Sequence, residues 1–291
     1  MSNDTREVSR RVYRTQSLTR MTDTILFERR GPVDWVTINR PTALNALTIE
    51  MRKRLCVYFH DLRHTATAAR VVILRSAGDR AFSAGLDIKE AAVQRLAATE
   101  EVIAAESFRV NQEFSDIVRA MRACPQPIIA CINGIASGGG FALALGADIR
   151  LATVGAKMNS MSLLIGTSGC DLGISYFLPR MVGLSIASEL MLTGRFIDGH
   201  RAERVGLVST AYSGVVEMEA AAAELAADML QNASALALEL TKQGIALAVD
   251  SPSLEATLAL EDRQQALLVA SPSMLQALQV RMGGTHGRSR L

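Results

Sequence analysis

Three features of this sequence predict an α/β fold. Short apolar segments that read as buried strands, at 71–75, 128–132 and 149–152, alternate with helical patterns. Two glycine-rich turns each follow such a strand: AFSAGLDIKE at 81–90 and INGIASGGGFALALGADIR at 132–150. From about residue 183 onward the pattern is nearly all helical.

Residues 1–20 carry Arg6, Arg10, Arg11, Arg14 and Arg20 without an apolar run, so they lack the centre of a secretory signal and read as a disordered extension. Residues 24–28 and 33–39 form two strands around the turn Arg30-Gly31-Pro32. After Asn39-Arg40-Pro41, Thr48 caps a helix whose apolar side is Met51, Leu55, Phe59 and Leu62. The strand at 71–75 precedes a helix over 105–122, a strand at 128–132, a helix at 139–147 and a strand at Ile149–Ala152. No charge falls between Arg122 and Asp148, a length that would span a bilayer. Pro125, Pro127, Asn133 and Gly138-Gly139-Gly140 break any single helix there, so a strand, a turn and a buried helix are expected instead. Met218, Ala222, Leu225 and Met229 mark one later helical stripe; Leu254, Leu258 and 264–270 mark another, starting near Ser251-Pro252. The expected division is an extension at 1–20, a core at 21–205, a helical region at 206–282 and a mobile tail at 283–291.

Of the 291 residues 49% are hydrophobic, enough for a sizeable core, and 4% are aromatic, which favours helix packing over a β-sandwich. A net charge of +2 gives no case for a nucleic-acid partner. Cys56, Cys124, Cys131 and Cys170 show no metal spacing and read as core thiols in a reducing, cytoplasmic setting.

The chemistry centres on the glycine turns. Glycine lets backbone approach a ligand closely, and two such turns facing one point would aim two N–H donors at one oxygen. Neither turn is a dinucleotide fingerprint, because Leu143 stands where the third glycine would fall, and no phosphate-cradling GxxxxGK occurs. Ser83 and Ser137 form no nucleophile elbow. His60 and His64 stand four apart but read as a solvated face, and Cys170 as buried filler. Glu90, Glu113 and Asp116 fit exposed helix faces, although each could reach a cleft. Lys89 and Arg40 are weak candidates for phosphate contacts.

In this order the motifs resemble the crotonase (enoyl-CoA hydratase/isomerase) family. The resemblance runs from VTINRPTALNALT at 36–48 through both turns to LLIGTSGCDLGISYFLPRMVG at 163–183 and LTGRFIDGHRAERVGLVS at 192–209. It implies a spiral of β-β-α units with C-terminal helices, assembled as a trimer or a dimer of trimers. It also implies an acyl-CoA thioester substrate, with no further cofactor and no metal. By position, the main-chain N–H groups of Leu86 and Gly139 would hold the thioester oxygen as an enolate forms. Ala84, Gly85, Asp87, Ile88, Lys89, Gly138, Gly140, Ala142 and Ser162 would surround the substrate. The family's hydratases use two glutamates, and this chain has Ala142 and Ser162 at those positions. Asp171, seven residues before Leu178-Pro179, matches the catalytic aspartate of the family's dienoyl-CoA isomerases. The resemblance implies an enoyl-CoA hydratase-like enzyme. The alternatives are an enoyl- or dienoyl-CoA isomerase using Asp171, and a non-catalytic acyl-CoA binder.

Overall fold

The computed structural model describes residues 23–64, 69–90, 99–251, 253–274, 276 and 279. The extension at 1–20 and the tail at 283–291 expected from the sequence lie outside the described residues.

The chain alternates between two sheets. The larger has the order β1 (Ile25–Arg30), β2 (Val33–Ile38), β3 (Val71–Ser76), β5 (Ile128–Ile132), β7 (Ile149–Thr153) and β10 (Thr210–Tyr212). Its β1–β2 pair is antiparallel and every later pair parallel. The smaller has the order β4 (Ala81–Ser83), β6 (Ile135–Ser137), β8 (Lys157–Asn159) and β9 (Ile197–Asp198), with only β8–β9 antiparallel. Thus β3 and β4, β5 and β6, and β7 and β8 each deliver one strand to each sheet before the chain advances. This is the β-β-α spiral implied above.

Strands β3 and β5 lie in the middle of the larger sheet, which explains their unbroken apolar sequence: all five residues of β5 are buried. Helix α1 (Ile49–His64) lays Met51, Leu55, Phe59 and Leu62 in the core, and Thr48 Oγ accepts the Met51 N–H at 3.3 Å. Each such large apolar side chain contributes about 2 kcal/mol on burial. Helix α2 (Glu100–Ala123) packs on α1 and buries Phe114, Ile117, Val118 and Met121 in the core. Helix α3 (Gly139–Gly146) is buried along its whole length, so the uncharged stretch before Asp148 is the centre of a folded core. Among the described residues no helix is long and apolar enough to cross a membrane.

The core expected over 21–205 is not closed off at residue 205. The compact unit runs through Ala227, because β10 extends the larger sheet and Met218, Ala222 and Ala226 of α7 (Val215–Asn232) are buried. Nor is everything after 183 helical: β9 and β10 interrupt α4 (Ile174–Val182), α5 (Leu184–Thr193), α6 (Gly199–Arg204) and α7. The second unit, from Asp228, holds α8 (Ala235–Val249) packed against α9 (Leu254–Val269). Ser234 and Ser253 cap these helices by accepting the N–H groups of Ala237 and Ala256.

Candidate active site

The first glycine turn leaves β4 with almost every polar group engaged. Asn45 donates from Nδ2 to the Ala81 carbonyl at 2.7 Å, and Ser83 Oγ donates to the Asn45 carbonyl at 2.8 Å. Ala84 N–H donates to Leu44, Gly85 N–H to Ser83 Oγ, and Asp87 N–H to Leu47, whose own N–H donates to Gly85. Among the described residues the Leu86 N–H between them has no acceptor.

The second turn repeats the arrangement. Gly138 N–H donates to the Asn159 carbonyl at 3.1 Å, and Ser137 Oγ donates to Asn159 Oδ1 at 2.7 Å. The Asn159 amide in turn holds the Gly194 carbonyl. The Gly139 N–H heads α3, where the first amides of a helix have no intrahelical carbonyl, and it too has no acceptor among the described residues. The turns press directly on one another. A methyl built on Gly85 would fall 2.8 Å from Gly139 N and 2.6 Å from the Ser137 carbonyl oxygen; one on Gly140 would overlap the Ser83 carbonyl.

Leu86 and Gly139 line the same cavity, of about 280 Å³. One face of α2 supplies Glu106, Ser107, Val110, Asn111 and Phe114; the opposite wall is Met161, Ser162 and Ile165 with the 167–172 loop. Ser162 lies in a 3₁₀ turn (Met161–Ile165), and its Oγ donates to Asp171 Oδ2 at 2.9 Å. Of the residues expected around the substrate, Ala84, Ile88, Gly138 and Ser162 line the cavity together with Asp171. Gly85, Asp87, Gly140, Ala142 and Lys89 do not. Gly85 and Gly140 form the contact between the turns, Ala142 is buried inside α3, and Lys89 is exposed.

Asp87 organises the wall instead. Its carboxylate pairs with Arg40 and accepts the N–H groups of Lys89 and Glu90. Burial works to raise its pKa; Arg40 and the two amides outweigh burial and hold it below the usual carboxylate range. A lowered folded-state pKa means stability present above the unfolded value and lost as pH falls through the folded one. Asp87→Asn is expected to cost about 2 kcal/mol at pH 7. Urea unfolding should show that deficit shrinking as the pH drops below about 4.

The remaining candidates take structural places. Glu90 accepts the Ile49 N–H at the start of α1, Glu113 pairs with Arg52 and Arg109, and Asp116 pairs with Arg119. His60 is exposed beside Asp61, and the side chain of His64 lies outside the described residues. Among the described residues no three groups could hold a metal ion. Cys124 and Cys131 are core thiols, and burial pushes Cys131 up to about 12. Cys170 is not buried filler: it is exposed on the cavity loop.

The family model described as enoyl-CoA hydratase/isomerase matches residues 28–279. The chain belongs to that family. A Mycobacterium tuberculosis protein named "Probable enoyl-CoA hydratase EchA12" is 36% identical over 242 residues, which cover 81% of this chain and 82% of that one. The crystal structure of an enoyl-CoA hydratase from Bacillus anthracis matches with a TM-score of 0.81 at 29% identity, covering 90% of this chain and 96% of that one. A monofunctional enoyl CoA isomerase from M. smegmatis matches with a TM-score of 0.66 at 35% identity, covering 81% and 99%. Within this enoyl-CoA hydratase/isomerase frame, the α2 wall is what sequence reasoning missed. Ser107, Val110, Asn111 and Phe114 recur at helical spacing, which was the available signal, and Glu106 adds a second carboxylate to the cavity.

Proposed function

We propose that this protein is an enoyl-CoA hydratase-like lyase, adding water to a 2-enoyl-CoA to give the 3-hydroxyacyl-CoA. One observation carries the reading: two main-chain amides without acceptors among the described residues, at Leu86 and Gly139, belong to residues lining one cavity with Asp171. The thioester oxygen accepts from both amides, which favours the enolate over the ground-state carbonyl. Asp171 takes a proton from water as the water oxygen bonds to C3 and the π electrons move into the enolate. The same carboxyl then returns the proton to C2, restoring the thioester, so one carboxylate closes the cycle that two glutamates usually share.

The second reading is double-bond isomerisation. Asp171 would remove a proton from C2 of a 3-enoyl-CoA and return it to C4 through the dienolate. It is supported by the absence of an acid at Ala142 and Ser162 and by the likeness to the M. smegmatis isomerase. In both readings the substrate carries the coenzyme A, and the chemistry calls for no further cofactor. A cytoplasmic homotrimer or dimer of trimers accompanies the reading. The exposed Ile245, Leu254, Leu267 and Val269 on α8 and α9 support a subunit contact.

The test is incubation with 2-enoyl- and 3-enoyl-CoA esters of graded chain length, followed by mass analysis of the thioesters. Gain of one water is the expected result; interconversion without mass change selects the isomerase. Cys170 provides a binding signal, because acyl-CoA in the cavity should slow its labelling by maleimide. Protection without turnover would mean a silent binder, and neither turnover nor protection would overturn acyl-CoA chemistry altogether.

A further inference from the structure

Ser162 holds more than a place in the cavity wall. Its hydroxyl donates to Asp171 Oδ2 at 2.9 Å, and among the described residues no other donor reaches that carboxylate. Ser162 is itself anchored: it is 6% exposed, and its carbonyl accepts both the N–H and the hydroxyl of Thr167, at 2.9 and 2.7 Å. Asp171 stands where the chain reverses. Its carbonyl accepts the Ile174 N–H, Leu172 follows at φ +51°, and Gly173 heads α4. That main-chain bond fixes the backbone and leaves the side chain free to rotate, whereas the Ser162 bond fixes the carboxylate.

We infer that Ser162 is the positioning residue for Asp171: by occupying Oδ2 it leaves Oδ1 as the oxygen that exchanges protons with substrate. The inference rests on the reading of Asp171 as the proton carrier. It also changes what the family position does. Where the family's hydratases carry a glutamate, this chain has a hydroxyl whose hydrogen is committed to a neighbouring carboxylate. Ser162 therefore acts through Asp171 and does not donate to the substrate. Because proton transfer to carbon depends steeply on alignment, a carboxylate released into several rotamers spends less time in the productive one.

The test is a double-mutant cycle on kcat for the preferred enoyl-CoA. Ser162→Ala is expected to lower kcat about tenfold with KM within about twofold, and Ser162→Thr, which keeps the hydroxyl, to restore most of it. Ser162→Ala in an Asp171→Asn background should cost nothing further, since there is no carboxylate left to orient. If the two losses add, Ser162 has a separate structural role and the inference is overturned. An unaltered kcat in Ser162→Ala overturns it equally. Ser162→Cys, close in shape but a feeble donor, serves the same comparison if the alanine variant fails to fold. Full activity in Asp171→Asn would instead remove the reading beneath it, so the two failures are distinguishable.

Discussion

Asp171→Asn is expected to cut kcat about 10³-fold while leaving KM and the fold nearly unchanged. The reason lies in what asparagine keeps. It has the same shape, and its carbonyl oxygen still accepts the Ser162 hydroxyl, so the loop and the cavity wall stay in place. What disappears is a group able to take a proton from water or from the α-carbon and give it back. Stability in urea should therefore change by no more than about 1 kcal/mol, the scale of one altered hydrogen bond. Glu106 is the comparison. It is the other carboxylate on the described cavity wall, but its side chain is 46% exposed and paired with Arg109. Exposed pairs of that kind contribute little, and Glu106→Gln is expected to move kcat by less than about threefold. Reversal of the two results would place the proton carrier on α2 rather than on the 167–172 loop.

Which parts of this molecule were legible in the sequence follows from how each part is stabilised. The larger sheet was legible because β3 and β5 are buried on both faces and read as apolar runs bounded by breakers. The smaller sheet was not. Its strands AFS, IAS and KMN are three residues each and lie in or beside the glycine turns, too short to display a period of two. AFS and IAS fall inside the glycine turns and read as turn, and KMN carries no strand signal, yet these strands are what bring Leu86 and Gly139 to one cavity. Glycine betrayed the two amides, because a close backbone approach leaves a compositional trace. The bond between Ser162 and Asp171 left none. The residues are nine apart, and they meet because a 3₁₀ turn and the reversal at Leu172 fold one segment back on itself. Cys170 misled because a cysteine with no histidine close in sequence reads as buried filler, and only the loop's path shows that it lines the cavity.

Gly85→Ala tests the contact between the turns without replacing Leu86, Gly139 or Asp171. Gly85 has φ +86°, a conformation that costs an L side chain about 1–2 kcal/mol. The added methyl would also meet backbone rather than a movable side chain, at 2.6 Å from the Ser137 carbonyl and 2.8 Å from Gly139 N. Forced overpacking of that kind adds about 1–3 kcal/mol, so a total loss near 3 kcal/mol is expected in urea unfolding. The kinetic effect should be larger in proportion. The methyl presses on the very amide proposed to hold the enolate oxygen, and losing the use of one such donor costs about 10²–10³-fold in kcat. Gly155→Ala is the matched control, since a methyl there meets nothing within 4 Å and Gly155 lacks a positive φ. It should leave turnover and stability at wild-type levels. A Gly85→Ala variant that loses stability yet keeps its turnover would separate the packing of the turns from the chemistry. The Gly139 amide would then not be what holds the enolate oxygen.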